Sequence, residues 1–331
     1  MAVKIGMNGF GRIGRYLTRL LMDDPVLELK VINARADNET YAHLLKYDSV
    51  YGRFSGQVSW SENGLIVNGQ EIQVTRWSRP EESAWGDLGC DLVVETTGKF
   101  RDKASCQEHL DGGAKKVVIS APGKGVDVSI CPNVNDQAYD PAEHRIISCG
   151  SCTTNCLAPI CKALNDSFGI SHGYATTIHS YTMTQRILDG SHKDLRRARA
   201  AAMSQIPTTT GATKAVGEIL PELQGKLDGM AVRVPTPCGS LTDLVCELDT
   251  KVNPQEVNNI FQQASNETLG YSDEPLVSVD YLGDSHGAIV DGLNTRVMNG
   301  TMVKVMAWYD NESGFTHQLQ RLLHKVAYEI S

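Results

Sequence analysis

The sequence lacks what a membrane or a polyanion would select. No apolar run approaches the roughly 18 residues needed to cross a bilayer. The opening Met1-Ala2-Val3-Lys4-Ile5 lacks the apolar segment and cleavage site of a signal peptide, so a cytoplasmic protein is expected. Basic residues are in deficit, 31 Lys and Arg against 39 Asp and Glu, giving a net charge of −8. General binders of nucleic acid or anionic membranes carry the opposite sign, so neither is an expected partner. Aromatics are sparse at 6%, and the chain has no internal repeat, low-complexity tract or long linker. Yet 41% hydrophobic and 21% charged residues are the composition of a folded globular protein, which excludes disorder, collagen and coiled coil. At 331 residues, about two domains are expected. Nine cysteines, an odd number spread along the chain, suit a reducing compartment better than a disulfide framework.

What is present begins with a nucleotide signal. Val3-Lys4-Ile5-Gly6-Met7 reads as a buried strand, and residues 13–21, with apolar Ile13, Leu17, Leu20 and Leu21, read as the following helix. Between them stands Gly9-Phe10-Gly11-Arg12-Ile13-Gly14, the G-x-G-x-x-G spacing in its strand-to-helix setting. Glycines there permit a tight turn and close backbone approach to a pyrophosphate, which the helix N–H groups face. The next strand, residues 27–33, ends where a carboxylate usually accepts hydrogen bonds from the adenosine ribose, and here it ends in Ala34-Arg35. Removing the carboxylate and supplying a guanidinium favours a 2′-phosphate, so the sequence leans toward NADP over NAD. The alternative is that Arg35 is a solvated side chain. Short β-branched runs at 91–95 and 116–120, with a helical stretch at 102–110 between them, continue a pattern that signifies a parallel, doubly wound sheet.

A second cluster carries reactive groups. Ser148-Cys149-Gly150-Ser151-Cys152-Thr153-Thr154-Asn155-Cys156 follows the strand 145–147 and precedes a helix expected over 157–164. Cys152 therefore lies near a helix N-terminus, where the dipole is expected to lower its thiol pKa. The following N–H groups and the Asn155 side chain are candidates to receive a developing oxyanion. The candidate partner base is His179, at the end of Tyr174-Ala175-Thr176-Thr177-Ile178-His179. On spacing alone a satisfied structural histidine is the commoner reading. Cys149 and Cys152 form C-x-x-C, but no second such pair completes four zinc ligands, so no metal is expected.

Taken together, Asn8-Gly9-Phe10-Gly11-Arg12-Ile13-Gly14-Arg15, Ser151-Cys152-Thr153-Thr154-Asn155-Cys156, His179-Ser180-Tyr181-Thr182, His192-Lys193-Asp194-Leu195-Arg196-Arg197 and Trp308-Tyr309-Asp310-Asn311-Glu312 resemble the phosphorylating glyceraldehyde-3-phosphate dehydrogenases. The resemblance runs in order along the whole chain. It implies an α/β fold with an N-terminal Rossmann dinucleotide-binding domain, residues 1–150, completed by a C-terminal helix, residues 313–331. A catalytic α+β domain, residues 151–312, would carry a mainly antiparallel sheet. The implied activity is reversible oxidation of glyceraldehyde 3-phosphate with inorganic phosphate to 1,3-bisphosphoglycerate, through a thiohemiacetal and a thioester on Cys152, with His179 as base. Thr182, Arg197 and Arg233 would hold the substrate phosphate, and Ser151, Thr153, Thr210 and Gly211 the attacking phosphate. Gly9, Gly11, Arg12, Ile13, Ser120 and Asn311 would bind the dinucleotide, and the assembly would be a homotetramer. A dehydrogenase of erythrose 4-phosphate or an arsenate-linked paralogue are the neighbouring alternatives.

The chain departs from the family pattern in places. Ala34 stands for the usual aspartate, and Gly190-Ser191 for Leu-Pro, a pair like that of NADP-accepting members, so NADP is favoured and NAD is kept. Ser78 replaces a common arginine, with Arg76 and Arg79 nearby. Cys149-Gly150 replaces Asn-Ala, which opens a reversible Cys149–Cys152 disulfide or simply a small buried residue. Cys238-Gly239 replaces Asn-Val, and Phe315 replaces Tyr.

Overall fold

The computed structural model describes residues 2–330, which form two compact units. One unit runs to Gly150 and includes the residues from Leu319 on; the other is Ser151–Gln318.

In the first unit, β1 (Val3–Asn8) leads into α1 (Arg12–Leu21), then β2 (Leu27–Asn33) and α2 (Asn38–Lys46). A small hairpin, β3 (Tyr47–Asp48) with β4 (Gly52–Arg53), precedes β5 (Val58–Trp60), β6 (Gly64–Val67) and β7 (Gln70–Thr75). Next come β8 (Leu92–Glu95), α3 (Lys103–Asp111), β9 (Lys116–Ile119), β10 (Val128–Ser129) and β11 (Ile146–Ser148). The sheet order is β10-β11-β9-β8-β1-β2-β7-β6-β5. From β10 to β7 every pairing is parallel, as a doubly wound sheet requires, and an antiparallel β7-β6-β5 edge is added to it. β8 and β9 are buried throughout, as central parallel strands covered on both faces must be. Lys116 keeps its ammonium satisfied there by the carbonyls of Pro141 and His144 at 2.6 and 2.8 Å. Trp85, Val93, Cys106 and Val117 pack in the core beside this sheet. The register sets Asn8 level with both Asn33 and Glu95, so three strand ends meet where open α/β sheets bind ligands.

The second unit opens with α4 (Cys152–Phe168) and continues with β12 (Ile170–Ser180), β13 (Ile206–Thr209), α5 (Ala212–Ile219), β14 (Leu227–Val234) and β15 (Ser240–Leu248). α6 (Pro254–Gln263), β16 (Leu269–Ser272), β17 (Ala288–Asp291), β18 (Arg296–Met298) and β19 (Met302–Tyr309) follow, and α7 (Ser313–Tyr328) starts in this unit and from Leu319 belongs to the first. Its sheet runs β13-β14-β12-β15-β19-β17-β16, with β18 also on β19. Only β12–β14 and β16–β17 pair in parallel, so the sheet is mainly antiparallel. Sequence boundaries explain the helices. α4 starts five residues before the expected position because Ser151 caps it, and it stops at Gly169, whose φ of +70° no β-carbon favours. α6 carries a full capping box from Asn253 and Glu256. No helix among the described residues is long and apolar enough to cross a membrane.

Candidate active site

The reactive residues of the second unit converge because a helix start and two strand ends share one location. α4 begins at Cys152, behind Ser151, whose hydroxyl oxygen accepts the Thr154 N–H at 3.0 Å. β12 ends at His179-Ser180, and its parallel register with β14 sets His179 beside Arg233. Cys152 Sγ lies 3.4 Å from His179 Nε2, within reach for proton transfer. Tyr309, fully buried, turns its edge to the imidazole and shares its hydroxyl with Thr153 at 3.0 Å and Thr177 at 2.7 Å. Neither Tyr309 nor Thr177 carries a role in the sequence reading, although Tyr309 belongs to the string Trp308–Glu312 and Thr177 to the strand that ends at His179.

Electrostatics divide the roles. Burial pushes the Cys152 thiol above its ordinary value, against the opposing pull of the Arg233 charge, the Thr153 hydroxyl and the N–H groups at the helix start. The lowering expected from the helix terminus is therefore outweighed by desolvation, and the thiol depends on a base to remove its proton. Burial likewise drives His179 down to about 3, with the Arg233 charge as the second cause, so the ring is neutral at pH 7. Nδ1 of His179 is 2.7 Å from the Ser180 carbonyl oxygen and 2.6 Å from Arg233 Nη1. The two neighbours select opposite tautomers. A proton on Nδ1, donated to Ser180, leaves Nε2 a lone pair for the thiol; a proton on Nε2 lets Nδ1 accept from the guanidinium. Only the first makes His179 a base.

Asn155 corrects another expectation. Its side chain is fully buried and Nδ2 donates to the Ser151 carbonyl at 3.0 Å, closing the first turn of α4 instead of facing a reacting oxygen.

The anion-binding types surround this pair. Arg233 also donates to the Ser180 carbonyl at 3.0 Å, while its buried Nε has no partner among the described residues. Arg197 donates from Nε to Thr208 Oγ1 at 2.9 Å, and Thr208 in turn donates to Asp194. Its charge is felt at both His179 and Arg233. Asp194 and Thr208 were not singled out from the sequence, although Asp194 belongs to the same string as Arg197. Gly211 is the N-cap of α5 and offers no capping side chain, while Thr210 Oγ1 accepts the Ala212 N–H at 3.2 Å. Thr182 is half-buried, with Oγ1 3.0 Å from Thr184 Oγ1. Ser191 lies exposed, its carbonyl receiving two hydrogen bonds from Arg186. Asn311 follows β19 and is buried.

In the first unit, the glycine loop borders a cavity of about 330 Å³ lined by Asn8, Gly9, Gly11, Ala34, Arg35 and Thr97, among others. Gly9 has a φ of +107°, and a β-carbon on it would stand 2.8 Å from the Thr97 nitrogen. Gly14 is equally constrained, since a β-carbon would fall 2.7 Å from the Gly9 carbonyl oxygen. Gly11, the N-cap of α1, makes no side-chain cap, so the helix start stays open for a diphosphate. These residues fit a dinucleotide. Ala34 is buried at the cavity, and Arg35, Arg79 and Lys99 bring cations to its lining. Arg35 donates to the Ser78 carbonyl at 3.2 Å, and the Tyr41 hydroxyl accepts the N–H groups of Arg35 and Ala36. Asp37, the nearest carboxylate in sequence, caps α2 through Thr40. The Arg12 guanidinium pairs with Asp48 and lies over the Tyr51 ring, and Ile13 sits half-buried in the first turn of α1. Ser120, after β9, donates its N–H to the Glu95 carbonyl at 3.0 Å.

Glu95 is a feature the sequence reading passed over. It is 1% exposed, yet it accepts Asn8 Nδ2 at 2.5 Å and the Thr97 N–H at 2.7 Å. His109 completes the set at 3.4 Å, its other ring nitrogen accepting the Trp85 indole N–H at 3.0 Å. That bond leaves the His109 proton on Nε2, facing the carboxylate. A polar residue ending the apolar run 91–95 was the available signal.

Comparison with known proteins agrees with this geometry. Residues 3–103 match the family model described as glyceraldehyde 3-phosphate dehydrogenase, NAD binding domain, and residues 151–311 match its C-terminal domain. A glyceraldehyde-3-phosphate dehydrogenase of Geobacillus stearothermophilus is 54% identical over 331 residues, 99% of each chain. Glyceraldehyde-3-phosphate dehydrogenase 1 of Bacillus subtilis is 52% identical over 99% of each chain, and glyceraldehyde-3-phosphate dehydrogenase 2 of the same organism is 49% identical, covering 99% of this chain and 97% of its own. The chain, with its nucleotide-fitting glycine loop and its Cys152–His179 pair, belongs to the glyceraldehyde-3-phosphate dehydrogenase family.

Proposed function

We propose that this protein oxidises glyceraldehyde 3-phosphate and captures the acyl group with inorganic phosphate, giving 1,3-bisphosphoglycerate. The observation that carries the reading is Cys152 Sγ at 3.4 Å from His179 Nε2, with Arg197 and Arg233 beside the pair. His179 removes the thiol proton, the thiolate adds to the aldehyde carbon, and the imidazolium returns that proton to the new alkoxide, giving a thiohemiacetal. The bound nicotinamide supplies one thing, a carbon that accepts the hydride leaving that thiohemiacetal. His179 Nε2 takes the hydroxyl proton as the carbonyl reforms, which leaves a thioester on Cys152. A phosphate oxygen then attacks the acyl carbon, the carbon–sulfur bond breaks, and the thiolate is regenerated. Arg233 and Arg197, together with Thr182, would bind the substrate phosphate; Ser151, Thr153, Thr210 and the open start of α5 at Gly211 would bind the attacking one.

For the cofactor we favour NADP over NAD. Ala34 removes the carboxylate that would repel a 2′-phosphate, Asp37 is engaged as a helix cap, and Arg35, Arg79 and Lys99 line the cavity. Asn311 is assigned to the nicotinamide carboxamide. A homotetramer accords with the apolar side chains exposed between 183 and 203, Met183, Ile187, Leu188, Leu195 and Met203, which further copies of the chain would cover. Nine free thiols suit a reducing cytoplasm.

The test is nicotinamide reduction followed by absorbance, with glyceraldehyde 3-phosphate and phosphate, for the parent and Cys152→Ala. Turnover that needs both substrates and vanishes in the variant is expected. Turnover surviving in Cys152→Ala, or equal without phosphate, overturns the reading. Erythrose 4-phosphate as a better substrate would move it to the neighbouring activity.

A further inference from the structure

Ser240, the first residue of β15, carries a hydroxyl with no part in the scheme above. It is 1% exposed, and its neighbours fix its proton. The Ser180 N–H donates to Ser240 Oγ at 3.2 Å, and Ser240 Oγ lies 3.0 Å from Asn311 Oδ1. If the Asn311 amide were turned over, the hydroxyl would face two donors and its own proton would be buried without an acceptor. The oxygen of Asn311 is therefore the atom that meets Ser240.

Cys238 approaches the same oxygen. Its Sγ lies 3.1 Å from Asp310 Oδ1 and 3.6 Å from Asn311 Oδ1, so its proton is directed to the nearer carboxylate. Asp310 is anchored in turn by the N–H groups of Glu312 and Ser313 at 2.9 and 2.8 Å, and by Gly283 at 2.9 Å. Asn311 Nδ2 has no hydrogen bond to a described residue, which leaves the donating end of the amide for a ligand.

We propose that Ser240 is a positioning residue that sets the Asn311 amide for the carbonyl oxygen of a nicotinamide carboxamide. Its hydroxyl ties that amide to the backbone of Ser180, the residue after His179, so ring recognition is held in register with the catalytic base. This rests on the assignment of Asn311 to the nicotinamide. A Thr at 240 preserves the tether, and an Ala removes it while leaving Asn311 in place.

The experiment measures dissociation constants by calorimetry for NAD or NADP, whichever binds more tightly, and for its thionicotinamide analogue, whose sulfur is the poorer acceptor. The parent should favour the natural dinucleotide at least tenfold, Ser240→Thr should keep that ratio, and Ser240→Ala should lose most of it. In an Asn311→Ala background, Ser240→Ala should add less than a twofold change. Should Ser240→Ala not fold, Ser240→Cys, of similar shape but a weaker donor, should give an intermediate ratio. A parent that binds both equally, a ratio kept in Ser240→Ala or unchanged in Ser240→Cys, or losses that multiply in the double variant overturns the proposal. If Asn311→Ala alone leaves the ratio intact, the carboxamide assignment fails and the tether with it, while Cys152-dependent turnover still reports the dehydrogenase independently.

Discussion

Arg233 Nη1 lies 2.6 Å from His179 Nδ1, side by side on parallel strands, so the charge that would hold a phosphate also bears on the proposed catalytic base. Removing it with Arg233→Met should raise the His179 pKa from about 3, yet leave it below the usual value, because burial is the larger cause. Unfolded, the ring binds a proton below about 6.5; folded, it does so only near 3. Between those values the unfolded chain holds more protons, so stability falls as pH is lowered through that window, by up to about 1.4 kcal/mol per pH unit from this group. The variant should narrow the window from its acid end. NMR titration of His179 and unfolding at graded pH check both. The same variant should lose roughly 10²- to 10³-fold in kcat/KM for the triose phosphate.

The thiol makes a separate prediction. Burial raises the Cys152 pKa, so the thiolate at neutral pH depends on His179 as proton acceptor. His179→Asn should slow alkylation of Cys152 by iodoacetamide at pH 7 by about tenfold or more, and lower kcat by about 10² to 10⁴. Equal alkylation rates in parent and variant would show that the thiolate forms without the imidazole. Cys152→Ser supplies the blank for labelling at the other eight thiols, all of which are fully or almost fully buried at 0–3% exposure.

What the sequence made legible was local. The glycine spacing between a strand and a helix, and Cys152 ahead of an apolar helix, depend on neighbours in the chain and were readable. Contacts set by strand register were not. Tyr309 reaches Thr153 across 156 positions and Thr177 across 132, and Glu95 reaches Asn8 across 87; no short window encodes them. Asn155 was misread for a physical reason. A helix expected only from 157 leaves Asn155 outside it as a candidate oxyanion donor, whereas Ser151 starts the helix early and supplies a carbonyl that engages its amide. The thiol pKa was misjudged because a helix terminus is visible in sequence and burial is not.

The proposed preference for NADP turns on Ala34. Ala34→Asp would set a carboxylate at the cavity edge near Arg35, where it would bind ribose hydroxyls and repel a 2′-phosphate. A like-charge juxtaposition of this kind costs several kcal/mol, so the NADP-to-NAD ratio of kcat/KM should fall by about 10² or more. Arg35→Ala should lower that ratio more modestly and leave NAD use intact. Parent rates that favour NAD, with Ala34→Asp changing nothing, would make Arg35 a solvated side chain.

Asp24 anchors the C-terminal helix within the first unit, and its removal should be visible in stability. Its side chain is 1% exposed, and Oδ2 receives Gln320 at 2.7 Å and His324 at 2.6 Å. Oδ1 accepts the N–H groups of Val26 and Leu27 at 2.9 and 3.0 Å, at the start of β2. Burial alone would raise its pKa, but the hydrogen bonds from Val26, Gln320 and His324, with the His324 charge, reverse the balance and hold it below the ordinary carboxylate value. A depressed folded pKa means that the contribution is fully present above about 3.9 and is lost as pH falls through the folded value. Asp24→Asn preserves the shape but replaces one accepting oxygen by a donor, which should cost about 1–3 kcal/mol at neutral pH. Thermal unfolding from about pH 3 to pH 8 should show the parent more stable by a constant margin above pH 5, with the two curves converging in acid. A margin unchanged down to pH 3 would mean that the cost comes from the altered hydrogen-bond pattern and not from the titrating carboxylate, and no margin at any pH would mean that the helix is held by its apolar face alone.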